Sequence, residues 1–143
     1  MSSFKYYVFN KPYNVLSQFT KDVPSHVTLS DFLKIEKDVY SIGRLDRDSE
    51  GILLFTNDGK FKKTILDPNA KKPKTYLVQV DGQVSADAIQ ELKNGVTIKL
   101  KSGPYTTLPC EASILADFSM PDRDPPIRIR KNIPTSWIEI TIT

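Results

Sequence analysis

The densest chemistry in the sequence lies in Gly43-Arg44-Leu45-Asp46-Arg47-Asp48-Ser49-Glu50-Gly51, where three carboxylates and two guanidiniums fill a polar stretch bounded by glycines. Three kinds of behaviour suit those residue types. Two carboxylates about 5–9 Å apart perform acid and base work at a glycosidic bond. A single carboxylate, kept ionised by a neighbouring arginine, acts as a nucleophile. A solvated loop of self-neutralising ion pairs does neither, and most charged loops are of that kind.

The elements that would hold this stretch are legible on both sides of it. Val39 to Ile42 reads as a strand, and Ile52-Leu53-Leu54-Phe55 as a continuous apolar strand buried on both faces. A catalytic group carried on a loop between two rigid strands is well placed for chemistry. Before it, Lys5 to Asn10 reads as a strand stopped by Pro12, and Asn14 to Phe19 as a second short one. Thr28 to Leu33 suggests one or two helical turns capped by Thr28 or Ser30.

Beyond it, Thr56-Asn57-Asp58-Gly59 supplies capping chemistry for a helix from about Lys60 to Leu66, ended by Pro68. Thr75 to Val80 alternates, with Tyr76, Val78 and Val80 on one face. Ser85 caps a helix that Asn94-Gly95 ends. Val96 to Leu100 and Leu108 to Leu115 read as strands around a turn at Ser102-Gly103. Asp117 to Pro126 is a proline-rich loop, and Trp137 to Thr143 a last alternating strand. Strands in runs with few helices imply a mostly antiparallel α+β fold in one domain over residues 1–143.

Composition narrows the function classes. Of 143 residues, 39% are hydrophobic and 26% charged, enough for one sizeable core. No apolar run approaches the roughly 18 residues of a membrane span, and the opening residues do not resemble a secretory leader. A single cysteine, Cys110, forms no internal disulfide and suits a reducing cytoplasm. With one histidine, His26, there is little material for a zinc cluster or a Ser-His-Asp triad. Both residues read as structural. The net charge is +3, and the cations cluster: Lys60, Lys62, Lys63, Lys71, Lys72 and Lys74 stand against only Asp67. Arg123, Arg128, Arg130 and Lys131 form a second group. Such clusters are either solvated faces or tracks for a polyanion.

Gly43-Arg44-Leu45-Asp46, two further residues, Ser49-Glu50-Gly51, an apolar run and Thr56-Asn57-Asp58-Gly59 resemble the signature of pseudouridine synthases. The resemblance is to the branch named for the ribosomal small-subunit synthase A. Val8-Phe9-Asn10-Lys11-Pro12, Lys74 to Gly82 and Trp137 to Thr141 are similar to further motifs of that family, in the same order. Pro125 to Pro134 resembles the members that act on the large ribosomal subunit.

The resemblance implies the pseudouridine synthase catalytic fold and isomerisation of a specific uridine to pseudouridine in large-subunit ribosomal RNA. No cofactor and no metal are implied. Asp46 matches the catalytic aspartate, which adds to the anomeric carbon, adds to a ring carbon, or assists glycal formation; these stay open. Arg44 matches the arginine that holds the target nucleotide out of its helix, and Tyr76 the tyrosine that packs on its base. Lys74 opens the lysine-x-tyrosine strand and is assigned to RNA binding. Tyr76 also reads as a core tyrosine beside Val78 and Val80, and Arg44 as a simple partner of Asp46 or Asp48. Arg47 and Asp48 carry no assigned chemistry, and Ser49 and Glu50 shape the loop.

By the same resemblance, an arginine-rich helical motif should follow the last strand, and no accessory RNA-binding domain precedes the first. The expectation is a catalytic domain truncated at its C-terminus, whose last strand leaves an exposed edge for association with another chain. A catalytically incomplete RNA-binding fragment is the alternative, and a carboxylate glycosidase a remote one.

If the lysines from Lys60 to Lys74 track phosphates, RNA affinity falls steeply with salt. Replacing Lys62, Lys63, Lys71 and Lys72 by alanine then flattens the log–log slope and weakens unrelated RNAs alike. An unchanged slope in a titration of the intact protein returns the cluster to a solvated face.

Overall fold

Tyr6, Tyr7, Val8 and Phe9 favour extended backbone, and they form strand β1 (Tyr6–Lys11). The computed structural model describes residues 3–143. They fold as two compact units, one reaching to Lys72 and one running from Pro73 to Thr143.

In the first unit, β2 (Tyr40–Ile42) and β3 (Gly51–Thr56) join β1 in an antiparallel sheet ordered β1-β3-β2. Pairing of Phe9 with Leu53 and of Tyr7 with Phe55 sets the register. Leu53 and Phe55, two apart, share a face and are buried with Val15, Leu29 and Val39; Phe9, Phe19, Val27, Leu33, Ile35 and Leu45 pack around them. The opposite face is different. Ile52 is 71% exposed, so β3 is central in its sheet but not buried on both faces as its apolar run suggests.

Asn14 to Phe19 is not a strand. Asn14 takes a left-handed conformation (φ 64°) that turns the chain, and only Leu16 makes an isolated bridge, to Thr28. The segment serves the core by sending Val15 inward. Thr28 precedes a single 3-10 turn, Leu29–Asp31, and its N–H donates to Asp31 Oδ2 at 2.9 Å. Helix α1 (Gly59–Leu66) starts as expected, with Asp58 Oδ1 accepting from the N–H groups of Lys60 (2.9 Å) and Phe61 (3.0 Å).

The second unit contains β4 (Lys74–Asp81), α2 (Ala86–Asn94), β5 (Thr97–Leu100), β6 (Gly103–Thr106), β7 (Glu111–Leu115) and β8 (Thr135–Ile142). Ser85 Oγ caps α2 by accepting from Ala88 N–H at 3.1 Å, and Ile89 is the buried residue of that helix. β5 pairs with β6, not with Leu108 to Leu115. Pro104 hides this short strand from a propensity reading, and its missing N–H is tolerated in a two-stranded hairpin.

A further correction concerns the last strand. The sheet order is β4-β8-β7, so β8 is the central strand and both its edges are paired. Alternation along β8 shows that one face is apolar but carries no information about which strands flank it. The exposed C-terminal strand edge is therefore absent. All named strand pairs are antiparallel, and the fold is α+β as expected. Among the described residues no helix is long and apolar enough to cross a membrane.

Candidate active site

The loop between β2 and β3 begins and ends on glycines that the backbone requires. Gly43 has φ +76° and Gly51 φ +124°, a region that strains residues with a Cβ. At the start of the loop the side chains alternate. Leu45 turns in against the core, while Arg44 and Asp46 on either side are exposed.

Leu45 is held from both directions by one hydroxyl. Ser17 Oγ donates to the Leu45 carbonyl at 2.6 Å and accepts from the Leu45 N–H at 3.1 Å. Asp46 then opens a tight turn, its carbonyl accepting from Ser49 N–H at 3.1 Å. Arg47 Nε donates to Asn14 Oδ1 at 2.7 Å. The residues that turn the chain after β1 thus grip the loop that carries Asp46.

Beneath the turn lies Lys11, whose side chain is wholly buried. Its ammonium donates to the carbonyls of Val15 (2.7 Å) and Pro12 (3.0 Å) and, at a longer 3.4 Å, to that of Arg47. Burial lowers the Lys11 pKa from its ordinary 10.5, and the carboxylates of Glu50, Asp48 and Asp46 act against that shift. A lysine whose pKa is lowered in the fold costs stability wherever both states are protonated. That cost is relieved as pH rises from the lowered value toward 10.5.

The four residues expected at the site fall in two pairs. Arg44 and Asp46 share the β2–β3 loop in the first unit. No ion pair ties Arg44 to Asp46 or Asp48 among the described residues. Lys74 and Tyr76 share one face of β4 in the second unit, opposite Ile142 and Ile140 of β8. Tyr76 is 37% exposed, more than a core tyrosine beside Val78 and Val80 would be.

Lys11, Asn14 and Ser17 are functional candidates that the sequence reading passed over. A trace of Lys11 was present: it stands at the end of a strand of aromatic and apolar residues, immediately before Pro12. Arg47 and Ser49, which had no chemical role or only a loop-shaping one, prove to be parts of the grip. His26 contributes a buried Nδ1 without a partner, and the Cys110 thiol donates to the Leu92 carbonyl at 3.2 Å.

Chemically, the loop offers a carboxylate open to solvent on an immobilised turn, with an exposed guanidinium two residues before it. Such a group meets a ligand arriving from water without first rearranging the backbone.

A family model described as RNA pseudouridylate synthase matches residues 5–142. A protein of Vibrio parahaemolyticus named ribosomal large subunit pseudouridine synthase E is 47% identical over 138 residues, 96% of this chain and 56% of its own length. One of the same name from Xanthomonas axonopodis is 45% identical over 95% of this chain and 70% of its own. The chain therefore spans little more than half the length of the Vibrio relative. A crystal structure of a pseudouridylate synthase superposes with a TM-score of 0.71, covering 99% of this chain and 52% of that one at 24% identity, a likeness of fold.

Removing the Ser17 hydroxyl leaves the partly buried N–H and carbonyl of Leu45 without this partner. Ser17→Ala should destabilise the first unit by about 1–3 kcal/mol and raise hydrogen exchange selectively across residues 44–49. Unaltered exchange in that loop would show that Ser17 does not hold it.

Proposed function

The chain belongs to the RNA pseudouridylate synthase family, and from that membership we propose that it converts a uridine of large-subunit ribosomal RNA to pseudouridine with Asp46 as the catalytic carboxylate. The reaction breaks the bond from N1 of uracil to the ribose anomeric carbon and joins C5 to that same carbon. C5 gives up a proton and N1 gains one. No atoms enter or leave, so the protein must supply a group that holds the sugar or base while uracil turns.

The observation that carries this reading is the setting of Asp46. It is exposed, yet its backbone is fixed through Leu45, Ser49 and the carbonyl that Lys11 grips. A carboxylate that attacks carbon needs a fixed approach more than it needs burial. Arg44, exposed beside it, has the planar fork suited to a phosphate or to the gap left by an extruded base. Tyr76 supplies a partly exposed ring for stacking, and Lys74, two residues before it on the same face, a cation for the backbone. The names of the relatives support the large ribosomal subunit as the source of the substrate.

In the intact protein, Asp46→Asn should reduce pseudouridine formation to background with RNA affinity nearly unchanged, because the amide keeps the shape and loses the charge. Asp48→Asn should retain activity. Mapping pseudouridine in ribosomal RNA after incubation reads both, and equal loss at the two positions would point instead to a carboxylate pair.

A further inference from the structure

Between β7 and β8 the chain runs through Pro125-Pro126-Ile127-Arg128-Ile129-Arg130-Lys131 without helix or strand. This arm is tied to the end of β4 on its C-terminal side and open before that. Arg123 Nη1 donates to the Pro125 carbonyl. Arg130 pairs with Asp81 at the end of β4, at 3.1 Å, and Gly82 N–H donates to the Pro134 carbonyl at 2.6 Å. Prolines at 125, 126 and 134 restrict the backbone further.

At the middle stands Ile129, 82% exposed, the highest value among the large apolar side chains of the described residues. Leaving an isoleucine there forgoes the stabilisation that burying its side chain would bring. Arg128 and Lys131, on either side of it, are exposed as well. No acidic residue occurs from Pro125 to Trp137. The arm therefore presents an apolar tip between two cations on a backbone that loses little freedom on docking.

We propose that residues 125–131 form an RNA-docking arm, in which Arg128 and Lys131 take phosphates and Ile129 lies against the face of an unstacked base. Phosphates at nucleotide spacing with base faces between them match that alternation of charge and apolar surface. An acidic protein segment would satisfy the cations, but the exposed apolar side chain between Arg128 and Lys131 favours a polyanion that also carries base faces. The inference rests on the reading of the protein as an RNA-modifying enzyme and adds an element that this reading does not use.

The test measures binding of the intact protein to deproteinised large-subunit ribosomal RNA across a series of salt concentrations, with pseudouridine formation by the wild type as a parallel readout. Combined Arg128→Ala and Lys131→Ala should lower the log–log salt slope by about 1.4–1.8, the share of two phosphates. Ile129→Ser should weaken binding about tenfold with the slope unchanged, and Ile129→Val should restore most of the affinity. Since Ile129 is exposed, none of these changes should alter the melting temperature. Unchanged affinity and slope in a wild-type background that makes pseudouridine would overturn the arm alone, including the case in which it serves a protein partner. Loss of binding in the variants would uphold the arm even if the wild type made no pseudouridine. A wild type that binds no RNA would overturn both.

Discussion

An ammonium with no surface in water is the constraint on which the first unit depends. A buried, unsolvated charge costs several kcal/mol even after the surroundings relax, and a lysine has three N–H donors to satisfy. Lys11 satisfies them with carbonyls from two separate segments: Pro12 and Val15 just after its own strand, and Arg47 in the loop between β2 and β3. The last of these is in reach only when the turn at Asp46 is closed. Displacing the turn would strip the ammonium of an acceptor, so the cost of burying one charge becomes a restoring force on the backbone of the loop. Ser17 and Asn14, from the same segment, add hydrogen bonds in the same sense.

The same arrangement balances the loop electrostatically. Arg44, Arg47 and Lys11 offset Asp46, Asp48 and Glu50 one for one. The loop thus carries little net charge, although three carboxylates lie within five residues. Placing one of those cations inside the fold leaves the guanidinium of Arg44 on the surface, available to a ligand.

Much of this organisation could be read before any coordinates were known, because it is local. The capping carboxylate of Asp58, the hydroxyl of Ser85 and the glycines around residues 43–51 act on their own neighbours in the chain. What stayed hidden is nonlocal. Lysines are almost never fully buried, so nothing in the types around Lys11 announced that its three acceptors would come partly from a loop 36 residues away. Asn14 to Phe19 looked extended, yet its job is to turn, to bury Val15 and to present Ser17. Pro104 masked β6. The central position of β8 depends on which strands reach it from elsewhere, and side-chain alternation is blind to that. The bounds of the charged loop were legible, therefore, while the residues that hold its backbone were not.

The measurement that bears most directly on this account is the single-turnover rate of Lys11→Met at saturating large-subunit ribosomal RNA, in the intact protein. Methionine fills the volume and abolishes the charge, removing the ammonium's hold on the Arg47 carbonyl. If the buried ammonium aims Asp46, the rate should fall at least about a hundredfold, as expected for a reacting group displaced by about an ångström, with RNA affinity retained. A rate within about twofold of the wild type would contradict the account and leave Lys11 as a fold-stabilising residue only.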